Sequence, residues 1–257
     1  MSEAVSQTND NLVLISGMST TGKSASLRYI KNPERVMYLN AEHKKLPFRS
    51  KFQEFMITDP FQVYEAFEHA SGEGKDKYDT IVLDSFSFLM DMFETKYIID
   101  NPPLTKSGQP DTMAGWGNYA SYGRRLFNEY SAKSPQNRII LAHNKEYQTK
   151  EDSFVVKETK VAVKGSLNDK GIEAYFSVCI NTKRMPVDEL RAYENDLLHI
   201  TPEEEALGYK YVFQTILTKD TISERIRSPM GMWSPNETFI DNNVQYVIDR
   251  LNSYYND

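Results

Sequence analysis

Asn11-Leu12-Val13-Leu14-Ile15-Ser16-Gly17-Met18-Ser19-Thr20-Thr21-Gly22-Lys23-Ser24 is the stretch on which the fold turns. Its first half is a short apolar run with no polar alternation, as expected of a strand buried on both faces of a parallel sheet. The run stops at Gly17. From Gly17 to Ser24 the chain fits G-x-x-x-x-G-K-[ST] at every required position. Residues 24–31 then read as a helix with Leu27 and Ile30 on one face, ended by Asn32-Pro33 because proline disfavours helix in the residue before it.

Strand, glycine-bounded loop and helix in that order form a cradle for phosphate. Backbone N–H groups of Gly17, Ser19, Thr20, Thr21, Gly22 and Ala25 converge with a helix N-terminus, where partial positive charge favours an anion. Glycine lets the backbone approach closely. Lys23 bridges the β- and γ-phosphates of a nucleotide, and the Ser24 hydroxyl ligates Mg²⁺, so the ligand expected is ATP with Mg²⁺. The bland reading is a glycine- and serine-rich turn carrying a surface lysine. A second Mg²⁺ anchor is needed at the end of a neighbouring strand, and Asp84, closing Thr80-Ile81-Val82-Leu83-Asp84, supplies it. An Asp there can also cap the following helix.

Outward from this pair, strands alternate with helices. Strands are expected at 35–40, 52–57, 80–84 and 138–142, with helices at 61–70, 86–97 and 117–132. Residues 101–115 carry three prolines and two glycines and read as a long loop. A lysine-bearing hairpin follows at 154–156 with 160–163, then strands at 178–181 and 211–217, separated by an acidic insertion at 188–205. Val244, Val247, Ile248 and Leu251 recur at helical spacing behind Asp241 and predict a terminal amphipathic helix. The fold class is α/β: a mainly parallel sheet flanked by helices, with an antiparallel C-terminal portion.

A chain of 257 residues, 40% hydrophobic, can build one core and lies near the size at which a single core stops growing. Residues 1–11 lack a basic and apolar leader, and no stretch approaches a membrane span, so a cytoplasmic protein without membrane contact is expected. Cys179 is the only cysteine, which excludes an internal disulfide and a cysteine-based zinc site. The formal charge of −6 argues against a surface that is basic all over; nucleic-acid contact has to come from local loops.

Tyr38-Leu39-Asn40-Ala41-Glu42-His43 closes the second strand, and this string, together with the phosphate cradle, resembles RecA-like P-loop ATPases, in particular phage-encoded ones that include single-strand annealing ATPases. The resemblance covers about residues 11–230 and implies a single RecA-like ATPase domain over 1–257, with a C-terminal helical extension at about 231–257. It implies that Glu42 is the general base, with Lys23, Asp84 and His143 completing the catalytic set; His143 is the γ-phosphate sensor, with Asn144 in reserve. Gly115-Trp116-Gly117 is similar to a segment of that group preceding the helix that leads to the sensor strand. Asn40 stands where bacterial RecA proteins usually carry an acid, and the acidic insertion is a second departure. Completion of the site by a neighbouring subunit is also implied, with Lys219, Arg225 and Arg227 as trans-acting candidates. An ordinary basic loop is the other reading of that segment.

The function this implies is an oligomeric ATPase, a ring or filament, that acts on single-stranded DNA in phage recombination or replication, in the host cytoplasm if phage-encoded. Between Asn144 and Ile172 six lysines (Lys145, Lys150, Lys157, Lys160, Lys164, Lys170) face five acids, so contact rests on placement rather than net charge. Tyr147, Phe154 and Trp116 are candidates for stacking on unpaired bases. Two other classes stay open. One is a small-molecule P-loop kinase, which needs a lid of arginines such as Arg124-Arg125 or Arg225 with Arg227. The other is an ATP-gated interaction module of helicase-loader type, docking through the acidic insertion.

Overall fold

The computed structural model describes residues 11–151 and 154–256. In chain order its elements are β1 (Leu12–Gly17), a short 3₁₀ helix (Ser24–Tyr29), β2 (Val36–Asn40), β3 (Gln53–Met56), α1 (Phe61–Ser71), β4 (Thr80–Asp84), α2 (Phe86–Glu94) and α3 (Thr112–Arg125). There follow β5 (Asn137–Glu151), β6 (Phe154–Val161), α4 (Gly165–Lys170), β7 (Val178–Pro186), α5 (Val187–Leu190), α6 (Pro202–Leu207), β8 (Tyr209–Gln214), β9 (Phe239–Asp241) and α7 (Val244–Asn256).

The sheet runs β3-β2-β4-β5-β1-β7-β8-β9, with β6 paired to β5 outside that path. The first six strands are parallel, and β8 turns back antiparallel on β7 and β9. β1 is buried along its whole length, as its unbroken apolar run predicts. Its side chains alternate between two cores. Leu12 and Leu14 join Phe67, Leu89 and Leu167 from α1, α2 and α4 on one face. Val13 and Ile15 join Leu27 and, from α7, Val247 and Leu251 on the other. Each such side chain contributes roughly 1.5–3 kcal/mol by leaving water, so the sheet centre is the rigid platform of the molecule. Parallel strands end together, and residues just past those ends meet at one edge: Gly17 pairs with His143, and Asn40 with Asp84.

Four local expectations change. The helix after the phosphate loop is a single 3₁₀ stretch, because the Ser26 hydroxyl donates back to the Lys23 carbonyl at 2.5 Å and Ile30 is already extended. The predicted loop at 101–115 ends earlier: the Asp111 carboxylate caps Ala114 N–H at 2.9 Å, so Gly115-Trp116-Gly117 lies inside α3. β5 does not stop at Ala142 but continues past His143 into an eight-pair antiparallel ribbon with β6, so the hairpin expected between 154–156 and 160–163 is replaced by one strand, Phe154–Val161, paired with the end of β5. Finally, the segment after 231, expected as a helical extension, also supplies β9 to the sheet, and α7 packs on its core. Among the described residues no helix is long and apolar enough to cross a membrane.

Candidate functional site

Lys23 follows the turn at Gly22, whose φ of +95° favours glycine, and is only 6% exposed. Its ammonium folds back onto the loop, donating to the carbonyls of Gly17 (3.0 Å) and Met18 (2.9 Å). Burial lowers its pKa to about 8, against the attraction of Glu42 and Asp84, which raises it. A desolvated cation satisfied by neutral carbonyls is poised to exchange them for an anion.

The loop is braced from both sides. Thr21 and Thr182 hydroxyls meet at 2.5 Å, and Thr21 also donates to the Met18 carbonyl at 2.8 Å. A Cβ on Gly17 would overlap the Thr182 hydroxyl and lie 2.9 Å from its carbonyl oxygen, so this glycine is required by close approach to β7. On the other side Asn242 donates to the Gly22 carbonyl at 2.9 Å.

Ser24 donates to Asp84 Oδ2 at 2.7 Å, and the Tyr38 hydroxyl donates to the same oxygen at 2.9 Å. Burial pushes the Asp84 carboxyl up, opposed first by the Ser24 hydrogen bond. Its other oxygen, Oδ1, is buried without a partner. A carboxylate with one orphaned oxygen, hydrogen-bonded to the loop serine, fits a divalent cation, which takes oxygen donors and would relieve the buried charge. Ser24 and Asp84 are the residues that would hold Mg²⁺. Among the described residues there is no cluster of three or more His, Cys, Asp or Glu side chains suited to hold a metal.

Glu42 is anchored through its backbone, with Ala41 and Glu42 N–H both donating to the Asp84 carbonyl, at 2.7 and 3.2 Å. Its Oε1 accepts from Ser85 Oγ and pairs with His143 Nε2, each at 2.8 Å, and Oε2 accepts from Lys44 at 3.1 Å. Burial alone would raise this carboxyl; the hydrogen bonds from His143, Ser85 and Lys44 outweigh it and bring the pKa down to about 2. Asn40, fully buried, organises the loop that presents Glu42. Its amide donates to the Lys44 carbonyl and Glu54, and its oxygen accepts from His43 N–H.

These groups surround a cleft of about 390 Å³, lined by Ser19, Thr20, Gly22, Lys23, Ser24 and Ala25 together with Glu42, Lys44, Pro47, His143 and Tyr211. Asp84 lies beneath it. Gly17 and Thr21 face a second cavity behind the loop, as does Asn144, whose amide donates to Asn181 at 3.3 Å; His143 is thus the polar group of β5 that reaches the cleft. The trans-acting candidates stay outside it. Arg225 pairs with Glu158, Arg227 ties its backbone to Cys179, and Lys219 is exposed. Arg124 bonds Ser166 and Arg125 bonds Glu129 on α3, so neither covers the cleft. Trp116 is half-buried against Tyr119, and Tyr147 sits on the ribbon between Lys145 and Lys160. The side chain of Phe154 lies outside the described residues, as does that of Lys150. Sequence reading missed Thr182, Asn242, Tyr38 and Lys44, which no local motif marks because three of them reach the site only through tertiary packing.

A buried strand, its glycine-bounded Lys-Ser loop and a strand-end carboxylate bonded to that serine define a P-loop NTPase. Residues 9–188 match the AAA domain family, and the chain belongs to it. No curated protein matches the chain.

Proposed function

We propose that the chain is a single-domain, Mg²⁺-dependent ATPase that works on single-stranded DNA as a homo-oligomer in the cytoplasm, in annealing or remodelling. The observation that carries the ATPase part of this reading is the convergence of Lys23, the Ser24–Asp84 pair and the Glu42–His143 pair on one cleft.

In this reading ATP exchanges its phosphate oxygens for the Gly17 and Met18 carbonyls around the Lys23 ammonium. Ser24 and Asp84 would hold Mg²⁺, which would supply neutralisation of the phosphate charge. Glu42, held ionised by its three donors, orients the attacking water by accepting its hydrogen bond; a carboxylate with so low a pKa serves positioning and electrostatics better than proton storage. His143 spans from Glu42 toward the phosphate end and reports its occupancy to β5. That strand runs on into the β5–β6 ribbon, so a shift of His143 is passed along one backbone to Lys145 and Tyr147, with Lys160 facing Lys145 across the ribbon on β6. Lys145, exposed beside the Tyr147 ring, suits an unpaired base with its phosphate and supports the ribbon as the DNA-contacting arm, whereas Lys160 is buried and held by Glu158 and the Asn168 carbonyl. The arm is also tied to the segment carrying Lys219 and Arg225, through Thr159 N–H to the Ser223 carbonyl at 2.9 Å.

The test is steady-state ATP hydrolysis by the full chain with and without single-stranded DNA. DNA is expected to raise turnover, and Lys23→Ala to abolish it. Hydrolysis indifferent to DNA, at every salt concentration tried, would leave an ATPase without the DNA role.

A further inference from the structure

The phosphate cleft does not end at the loop. It shares Ser19 and Thr20 with the cavity behind the loop, and at Ala25 and Tyr211 it meets a third, larger cavity of about 790 Å³, which those two residues also line. The cleft has a direction. Glu42, Lys44 and His143 stand at the end where water is handled, so a polyphosphate laid from there across Lys23 leaves the cleft between Ala25 and Tyr211. Whatever is attached to its far end enters the larger cavity.

The lining suits a nucleoside. Tyr29 is 53% exposed, with the Arg28 guanidinium 4.4 Å from its ring centroid, a planar pair of the kind on which bases stack. Tyr211 and Tyr246 bring further rings to the same cavity. Opposite them is α6, whose Leu207 is 55% exposed beside the cavity, and whose Glu204 holds the buried Lys210 ammonium together with Asp241, at 2.7 and 3.1 Å. With that lysine neutralised, the remaining carboxylate of Glu203 disfavours further phosphate and leaves room for neutral rings and hydroxyls. α6, β8 and the start of α7 all lie beyond residue 188, where the family match stops.

We infer that the nucleoside half of the nucleotide lies in this larger cavity, between the Arg28–Tyr29 pair and Tyr211, walled by α6, so that residues beyond the family match share with that pair in selecting which nucleotide is accepted. The inference rests on the nucleotide reading above, and it gives the acidic insertion a ligand-facing role in place of partner docking.

The experiment measures equilibrium binding, with Mg²⁺, of the four common nucleoside triphosphates and of inorganic tripolyphosphate to the full chain, to Tyr29→Ala and to Leu207→Trp. Both substitutions fall at exposed positions; one removes a stacking face and the other fills the cavity. The tightest-binding nucleoside triphosphate is expected to weaken about tenfold or more in each variant, the equivalent of ~1.4 kcal/mol for one lost stacking face, while tripolyphosphate binds as to the unsubstituted chain. Unchanged nucleotide affinity in both variants overturns the inference and leaves the nucleotide reading standing. Equal loss of nucleotide and tripolyphosphate overturns it too, since the cavity would then act only on the loop. If the unsubstituted chain binds neither, the nucleotide reading itself falls.

Discussion

Glu42 and Lys23 carry opposite pKa shifts, and each gives a measurable consequence. The Glu42 carboxyl is depressed to about 2 in the folded chain. Its hydrogen bonds therefore add stability that is fully present above the ordinary glutamate range, near pH 4.5, and is lost as pH falls toward 2. Glu42→Gln should flatten that part of the stability profile, read as melting temperature against pH, and should lower kcat about 10²–10³-fold with little change in KM for ATP. A kcat within a few fold of the unsubstituted chain would remove Glu42 from the water-orienting role. Lys23 moves the other way. Its folded pKa of about 8 lies below the ordinary value of 10.5, so the unfolded chain binds more protons between the two, and stability rises with pH across that window. Below it the buried charge is a constant cost. Lys23→Met should therefore leave the ligand-free protein at least as stable at neutral pH and lose the upward shift in melting temperature that ATP produces; a large destabilisation would mean that the carbonyl contacts, rather than burial, dominate.

At the scale of elements, the site depends on a strand that the opening motif does not include. Thr182 on β7 meets Thr21 at 2.5 Å and closes the space over Gly17. Thr182→Val keeps the shape and removes the hydroxyl; losing about 1 kcal/mol of hydrogen bonding should weaken ATP roughly fivefold, seen in Kd before kcat. What the sequence disclosed and what it hid divide along the same line. The placement of Gly17–Ser24 and Asp84 was legible because phosphate and metal chemistry fixes residue types within a few positions of a strand end, and that of Glu42 through the resemblance alone. Thr182 and Asn242 were not, since their approach to the loop at separations of 161 and 220 residues is a property of sheet order. Helix limits were misjudged where a single side chain decided them, Ser26 after the loop and Asp111 before α3. The full length of β5 was hidden for another reason: polar and charged residues fill nearly every position from His143 to Glu151, so the strand shows no apolar period. That ribbon has its own prediction. If it tracks a single strand, Lys145→Ala and Lys157→Ala should each reduce the slope of log affinity against log salt by about 0.7, the counterion share of one phosphate contact. A slope unchanged in both variants would place DNA elsewhere on the molecule.

On the scale of the whole molecule, the proposed homo-oligomer bears on which cations reach the cleft. Its cations are Lys23 and Lys44, no arginine lines it among the described residues, and Lys44 is already paired with Glu42. On the proposed reading, charge that builds on the terminal phosphate in the transition state would be met by a donor from a neighbouring copy. Lys219 is exposed and Arg227 presents its side chain to solvent on the same segment, whereas Arg225 is held by Glu158. A head-to-tail contact that sets this segment of one copy over the cleft of the next would complete the site and, being heterologous, would build a ring or a filament. Such an arrangement has a signature that no single-chain enzyme shares. Lys23→Ala lacks a working cleft but keeps the donor; the double substitution Lys219→Ala with Arg227→Ala keeps the cleft and lacks the donor. Each alone should be nearly inactive, and mixing the two should restore part of the ATPase activity, because some interfaces then join an intact cleft to an intact donor. Restored turnover should rise with protein concentration and with conditions that favour the assembled form in sedimentation. If the mixture stays as inactive as its parts while both variants still assemble, the donor comes from elsewhere; if the double variant alone retains full turnover, Lys219 and Arg227 lie outside the reaction.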